Sequence, residues 1–180
     1  MSADGLLTGT VQSETVDPDA LVAALFAEHA PSLVRLAGLF CDDRNAAEDL
    51  VQEAFIRLHR SAHTIKDPAK AAAYLRSILM NLARDHNRRG LMSLRHRSTM
   101  GEPQVAPGFE DAAIASGEDR AVLAAVRLLP DRQRACLVLH YYMELSESET
   151  AATLGISKSS VKTHCRRALT ALEATLEEQR

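Results

Sequence analysis

The residues of greatest chemical content cluster near the C-terminus. Residues 156–170 carry Lys158, Lys162, Arg166 and Arg167 with no acid, and Ser159 and Thr163 lie among them. Amines, guanidinium groups and hydroxyls on one helix can hold phosphate oxygens and reach base edges in a major groove. A second set, Asp49, Gln52 and Glu53, recurs at helical spacing and places acids and an amide on the face opposite an apolar stripe. A third set, Asn81, Arg84, Asp85, Arg88 and Arg89 with Arg76, lies off an apolar stripe. Catalytic groupings do not appear: the chain has no Gly-rich phosphate loop, no nucleophile motif and no His or Cys pair at metal-ligand spacing. Cys41, Cys136 and Cys165 lie far apart inside apolar helical patterns and are expected to be buried, reduced thiols. The residues thus point to a binding protein with no cofactor and no metal.

These groups need helices to position them. The chain is 46% hydrophobic but only 4% aromatic, and it lacks Trp, a composition that favours aliphatic helix packing over a sheet. The expected class is all-α, two small helical domains joined by an extended acidic linker. Net charge is −3, so the basic character is local: residues 1–20 hold Asp4, Glu14, Asp17 and Asp19 with no base.

Residues 1–18 read as a disordered acidic tail. The first domain is expected at 19–97. Leu21, Val22, Leu25 and Phe26 form one helical stripe, and Pro31 is expected to start a second helix with Leu33, Leu36, Leu39 and Phe40, the two packing as a hairpin. Asn45 and Glu48 have capping-box spacing before Leu50, Val51, Ala54, Phe55 and Leu58. A polar loop, Ser61 to Lys66, precedes Asp67-Pro68, which predicts a helix start; that helix should run to about Gly90 and bury Tyr74, Leu75, Ile78, Leu79 and Leu82. Residues 98–118 form the linker, with Glu102, Glu110, Asp111 and Glu118, two prolines and no base. Extended, it could reach on the order of 70 Å, letting its flanks touch separate sites.

The second domain is expected at 119–180. It breaks at Pro130, continues through Ala135, Cys136, Val138 and Leu139, and reaches Ser146, whose spacing to Glu149 is that of a capping box. Gly155 should end that short helix and Ser157 cap the next, with Ala151, Leu154, Ile156 and Val161 filling the angle between them. Two helices about one Gly-containing turn form a helix-turn-helix.

Two blocks of this sequence resemble a known family. Ala47-Glu48-Asp49-Leu50-Val51-Gln52-Glu53-Ala54-Phe55 is similar to the polymerase-binding helix of bacterial sigma factors. Tyr74 to Asp85 with Arg88-Arg89 resembles the helix that family uses at the −10 element, and Leu129-Pro130 with the helix-turn-helix resembles its −35-reading domain. Both blocks stand in the family's order, and the larger intervening domains of housekeeping members have no room, which places the resemblance with the small extracytoplasmic-function kind of the sigma-70 family.

The resemblance implies a region 2-like bundle and a region 4-like domain in a protein that directs promoter recognition, DNA opening and transcription initiation without being an enzyme. It implies core polymerase contacts at Asp49, Gln52 and Glu53, meeting the β′ clamp helices, with region 4 on the β flap. It further implies −10 contacts at His63, Lys66, Asn81, Arg84, Asp85, Arg88 and Arg89, and −35 contacts at Lys158, Ser159, Lys162, Thr163, Arg166 and Arg167. The family often has Trp where Tyr74 stands, so the chain departs from it in the pocket for an extruded base. An anti-sigma factor is a further candidate partner.

Ser160-Val161-Lys162-Thr163-His164 also resembles the recognition helix of LuxR-type regulators, which makes a stand-alone regulator the alternative. The helical N-terminal half argues against it, since a receiver domain needs alternating strands and helices. A metal- or redox-dependent sensor or enzyme is the remote alternative. No basic region followed by an apolar run opens the chain, and no stretch reads as a membrane span, so a cytoplasmic protein without membrane contact is expected.

Overall fold

The computed structural model describes residues 17–41, 43–65, 67–97 and 117–178. Among these every regular element is helical, as the composition requires. The tail expected at 1–18 therefore lies outside the described residues up to 16, and the linker up to 116.

Helix α1 (Pro18–Gly38) opens on Asp17, whose carboxylate accepts from the Asp19 amide at 3.1 Å. It runs unbroken through Pro31, so the expected hairpin is one helix. A proline costs an interior helix one hydrogen bond, here at the carbonyl of Ala27, which is exposed and can turn to water. Leu25 before the proline and Leu33 and Leu36 after it are buried in the same core, and that shared burial carries the helix across. By length and composition alone α1 is apolar enough to cross a membrane, but its Leu33, Leu36 and Ala37 are buried within the protein, as in a core helix.

Helix α2 (Arg44–Ser61) is capped by Asp43, not by Asn45. The Asp43 backbone is extended and its carboxylate accepts from the Ala46 amide at 2.8 Å, while Glu48 accepts instead from Arg44 at 2.7 Å. Capping depends on the residue just outside the helix, and the bend at 43 puts Asn45 already inside. The polar loop is mostly ordered as a 3-10 turn, Ala62–Thr64, and a second 3-10 turn, Pro68–Lys70, leads into α3 (Ala71–Arg97). Asp67 accepts from the Ala69 amide at 3.1 Å, as a helix-start residue should.

Helix α3 passes Gly90, where the sequence predicts its end; one interior glycine costs only about 1 kcal/mol relative to alanine. Tyr74 is 45% exposed, contrary to its expected burial. The inward arc centres on Leu75 and Leu79, both fully buried, and takes in Met80 and Ala83 on its far side, which turns Tyr74 past the near edge.

The second half comprises α4 (Gly117–Leu128), α5 (Asp131–Leu137), a π-helical turn (Val138–Tyr142), α6 (Glu147–Leu154) and α7 (Lys158–Glu178). Its buried Val126, Leu129, Leu137 and Leu139 join the same apolar core as Leu36, Phe40, Leu75 and Leu79 of the first half. The two helical groups pack on each other, α3 against α6, in place of the separation the linker's reach allows.

A smaller core of Cys136, Ala151, Val161 and Cys165 lies within the second half. All three cysteines are buried, as expected. Burial pushes the Cys136 thiol up to about 12, helped by Cys165 and opposed by Arg132, and burial likewise raises Cys165. A neutral thiol is a poor nucleophile, so iodoacetamide at pH 8 should label the native chain slowly and the denatured chain at once. Unfolded cysteines ionise from about pH 8.5, and the folded Cys136 thiol only near 12. Stability is therefore expected to fall as pH rises through that window, which thermal melts at pH 8 to 10.5 would measure. Rapid labelling of the folded chain would contradict this burial.

Candidate nucleic-acid interface

The helix-turn-helix is built by local rules that can be checked atom by atom. Ser146 Oγ accepts from the Glu149 amide at 3.2 Å while the Glu149 carboxylate accepts from the Ser146 amide at 2.8 Å, closing the predicted capping box. The Ser146 hydroxyl also donates to that carboxylate, at 2.6 Å, and this bond first and the one from the Ser146 amide second hold the Glu149 carboxyl below its ordinary range. Gly155 takes the left-handed conformation at φ 63°, and the Ile156 amide donates back to the Ala151 carbonyl at 3.1 Å, as the sequence predicts for a glycine stop. Ser157 then accepts from the Ser160 amide at 3.1 Å and starts α7.

Val161, Cys165 and Ala168 form the buried stripe of α7. That fixes the opposite face: Lys158, Ser159, Lys162, Arg166 and Arg167 are exposed, and Thr163 is half-buried with its hydroxyl donating to the Ser159 carbonyl at 3.0 Å. Lys162 sits 3.5 Å from Glu147. Exposed pairs of this kind are worth roughly 0–1 kcal/mol, so a phosphate can displace the acid at little cost.

On α3, Asn81, Arg84, Arg88 and Arg89 are exposed and Asp85 is half-buried. Asn81 Oδ1 accepts from Arg84 at 3.0 Å, and Asp85 lies 3.6 Å from Arg88. Asn81, Arg84 and Arg88 thus follow one another along a single stripe. His63 is exposed on the turn Ala62–Thr64 that leads toward α3; Lys66 lies outside the described residues. On α2, Asp49 and Gln52 are exposed, whereas Glu53 is half-buried and accepts from Arg57 at 2.7 Å. Gln52 also stands at the rim of a groove of about 370 Å³ between α1 and α2, whose walls include Phe26, Val34 and Val51.

The structure also engages residues that the sequence reading passed over. Arg127 donates to the Gly38 carbonyl at 3.1 Å, Arg134 donates to the Leu39 carbonyl at 3.0 Å, and Asn87 donates to Asp131 at 3.0 Å. The two arginines lie 89 and 95 residues from their acceptors, so no local pattern marks them. Arg76 is half-buried on α3; desolvation lowers its pKa, and Glu149 of α6 opposes that shift.

Comparison with known proteins agrees with this geometry. A family model described as sigma-70 region 2 matches residues 25–90, and one described as sigma-70, region 4 matches residues 119–172. The chain is 34% identical over 168 residues to the extracytoplasmic-function (ECF) sigma factor SigL of Mycobacterium tuberculosis, covering 88% of this chain and 90% of that protein. It is 34% identical over 146 residues to the sigma-E factor of Streptomyces coelicolor, covering 81% of this chain and 80% of that one. Among solved structures, the sigma factor RpoE, in complex with the anti-sigma factor NepR from Bartonella quintana, shares the fold with a TM-score of 0.73 at 22% identity, over 88% of this chain and 98% of that one. CnrH, in complex with the cytosolic domain of CnrY, superposes with a TM-score of 0.68 at 25% identity, over 94% and 95% of the two chains. With both matches in this order and relatives this similar along most of their length, the chain belongs to the sigma-70 family, in its ECF subfamily, and directs the initiation of transcription.

Proposed function

We propose that this sigma factor divides its work between its two halves. Residues 19–97 act as the region 2 domain: Asp49, Gln52 and Glu53 of α2 dock on the β′ clamp helices of core polymerase, and His63, Lys66, Asn81, Arg84, Asp85, Arg88 and Arg89 serve the −10 element. Residues 119–180 act as region 4, resting on the β flap and reading the −35 element through Lys158, Ser159, Lys162, Thr163, Arg166 and Arg167. Residues 98–118 link the two, and residues 1–18 form an acidic tail. The observation that carries the reading is the outer face of α7, where five of the six proposed −35 residues are exposed opposite a stripe of Val161, Cys165 and Ala168. The protein acts in the cytoplasm, with no catalytic step of its own. The similar folds of RpoE, solved with the anti-sigma factor NepR, and of CnrH, solved with the cytosolic domain of CnrY, support an anti-sigma factor as a further partner here.

Run-off transcription with core polymerase on genomic fragments, together with gel shifts at fixed salt, tests the assignment. The expected result is sequence-selective initiation with core and poor promoter binding by the free chain, since two small modules must be ordered together before both sites are engaged. Tight, selective duplex binding by the chain alone would favour a stand-alone regulator of LuxR type.

A further inference from the structure

One acid reaches the basic face of α7 from outside that helix. Residues 156–170 supply Lys158, Lys162, Arg166 and Arg167 and no acid of their own. Glu147, in the first turn of α6, sets its carboxylate 3.5 Å from Lys162 Nζ, and among the described residues Lys162 is its one ion-pair partner. The neighbouring acid, Glu149, is committed elsewhere, since its carboxylate takes both bonds from Ser146 that close the cap of α6. Glu147 has no part in that cap. A carboxylate in a first turn is favoured by the helix dipole whatever it faces, but the dipole does not require it to meet a lysine of the reading helix.

The pair stands at an opening. A cleft of about 210 Å³ runs between the π-helical turn, α6 and α7, and its walls include Tyr141, Glu147, Lys162 and Arg166. The side chains of Lys162 and Glu147 are 67% and 38% exposed, so both charged heads meet solvent beside the proposed −35 residues. The Glu147 charge is felt inward as well: burial first and this carboxylate second raise the Cys165 thiol on the buried stripe of α7. A duplex that engages Lys162 and Arg166 therefore meets Glu147 too.

The chemistry of the major groove decides what such a carboxylate can accept from. Adenine and cytosine present an exocyclic amine there, whereas guanine and thymine present acceptors without one. An ionised carboxylate only accepts, and an ammonium only donates. Every base pair sets the amine of one base beside the keto oxygen of the other, so an acceptor and a donor held side by side match it in one orientation and oppose it when it is reversed. We propose that Glu147 is a specificity-determining residue of the −35 interface, accepting from the amine of an adenine or cytosine while Lys162 donates to the keto base paired with it. The inference rests on the assignment of α7 to the −35 element made above. At an unmatched sequence Lys162 still leaves Glu147 for a phosphate at little cost, but the carboxylate then faces a polyanion with no donor. Glu147 thus adds a base readout from α6, outside the recognition helix, and weakens binding wherever that readout fails.

The test uses the full chain joined to core polymerase, selecting from a promoter library randomised across the −35 element. At one position wild type is expected to prefer adenine or cytosine over guanine or thymine ~10-fold on the strand that Glu147 faces. Glu147→Gln keeps the Ser146 and Glu149 cap and puts a donor beside the acceptor, so keto bases become acceptable and the preference should fall to about twofold at that position alone. Lys162→Ala should relax the same position, because the two side chains read one base pair, and the double variant should add little to either. Glu173→Gln, which removes an exposed acid farther along α7, should leave every preference unchanged. Three results would overturn the inference: an unchanged preference in Glu147→Gln, relaxation at different positions in Glu147→Gln and Lys162→Ala, or a uniform gain at all sequences matched by Glu173→Gln. Arg166→Ala and Arg167→Ala in the same library keep the two readings apart. If they alter −35 preferences while Glu147→Gln does not, only the role of Glu147 fails; if no α7 variant alters any preference, the −35 assignment falls and this inference with it.

Discussion

Changing Lys162, Arg166 or Arg167 singly to Ala is expected to lower initiation at promoters that depend on a −35 element, with no loss of core binding. All three side chains are exposed on the face of α7 opposite Val161, Cys165 and Ala168, so truncation removes contacts without disturbing the helix-turn-helix core. The size and pattern of the loss assign each residue. A base-edge contact is worth about 1–3 kcal/mol, roughly a 5- to 150-fold loss, and relaxes preference at one promoter position, whereas a phosphate contact weakens all sequences alike and reduces the salt slope by about one. Lys162 should show the smaller effect of the three, because the variant also releases Glu147, 3.5 Å away, from the partner it loses when DNA binds. Initiation assays over a range of salt, on promoters randomised across the −35 element, read both quantities. Normal initiation by all three variants would remove α7 from the promoter.

Replacing Asp49 and Gln52 together by Ala is expected to weaken the affinity for core polymerase by about 2 kcal/mol or more, ~30-fold, as truncating a charged pair at a desolvated interface commonly does. Both residues are exposed on α2 while Val51, Ala54 and Phe55 hold the inner face, so circular dichroism and melting temperature should stay close to wild type. Glu53 is a weaker handle, since it is half-buried and already accepts from Arg57 at 2.7 Å. Titration of labelled variant against core measures the loss, with Asp49→Asn and wild-type Gln52 as the intermediate case. Undiminished affinity of the double variant would place the docking surface elsewhere, the groove between α1 and α2 being the nearest other surface.

Short-range features of this protein were legible from residues alone because they depend on neighbours within a few positions. The capping box of Ser146 and Glu149, the left-handed Gly155, the Ser157 cap and the apolar period of α7 each involve atoms no more than five residues apart, and together they determine which side chains of α7 face outward. Burial of Cys41, Cys136 and Cys165 followed from the same periodicity. Features that weigh a local preference against distant packing came out differently. Pro31 and Gly90 are stop residues by propensity, yet burial of Leu25, Leu33 and Leu36 in a common core carries α1 past the first, and a cost near 1 kcal/mol lets α3 pass the second. Tyr74 turned outward because the arc of α3 is set by which partners it meets, and that choice is made across the bundle. The meeting of the two halves lay wholly beyond sequence reasoning. Gly38 and Leu39 lack caps only once their own turn is formed, and the guanidinium groups of Arg127 and Arg134 reach them across 89 and 95 residues, a pairing decided by where folded surfaces bring buried carbonyls and cations together.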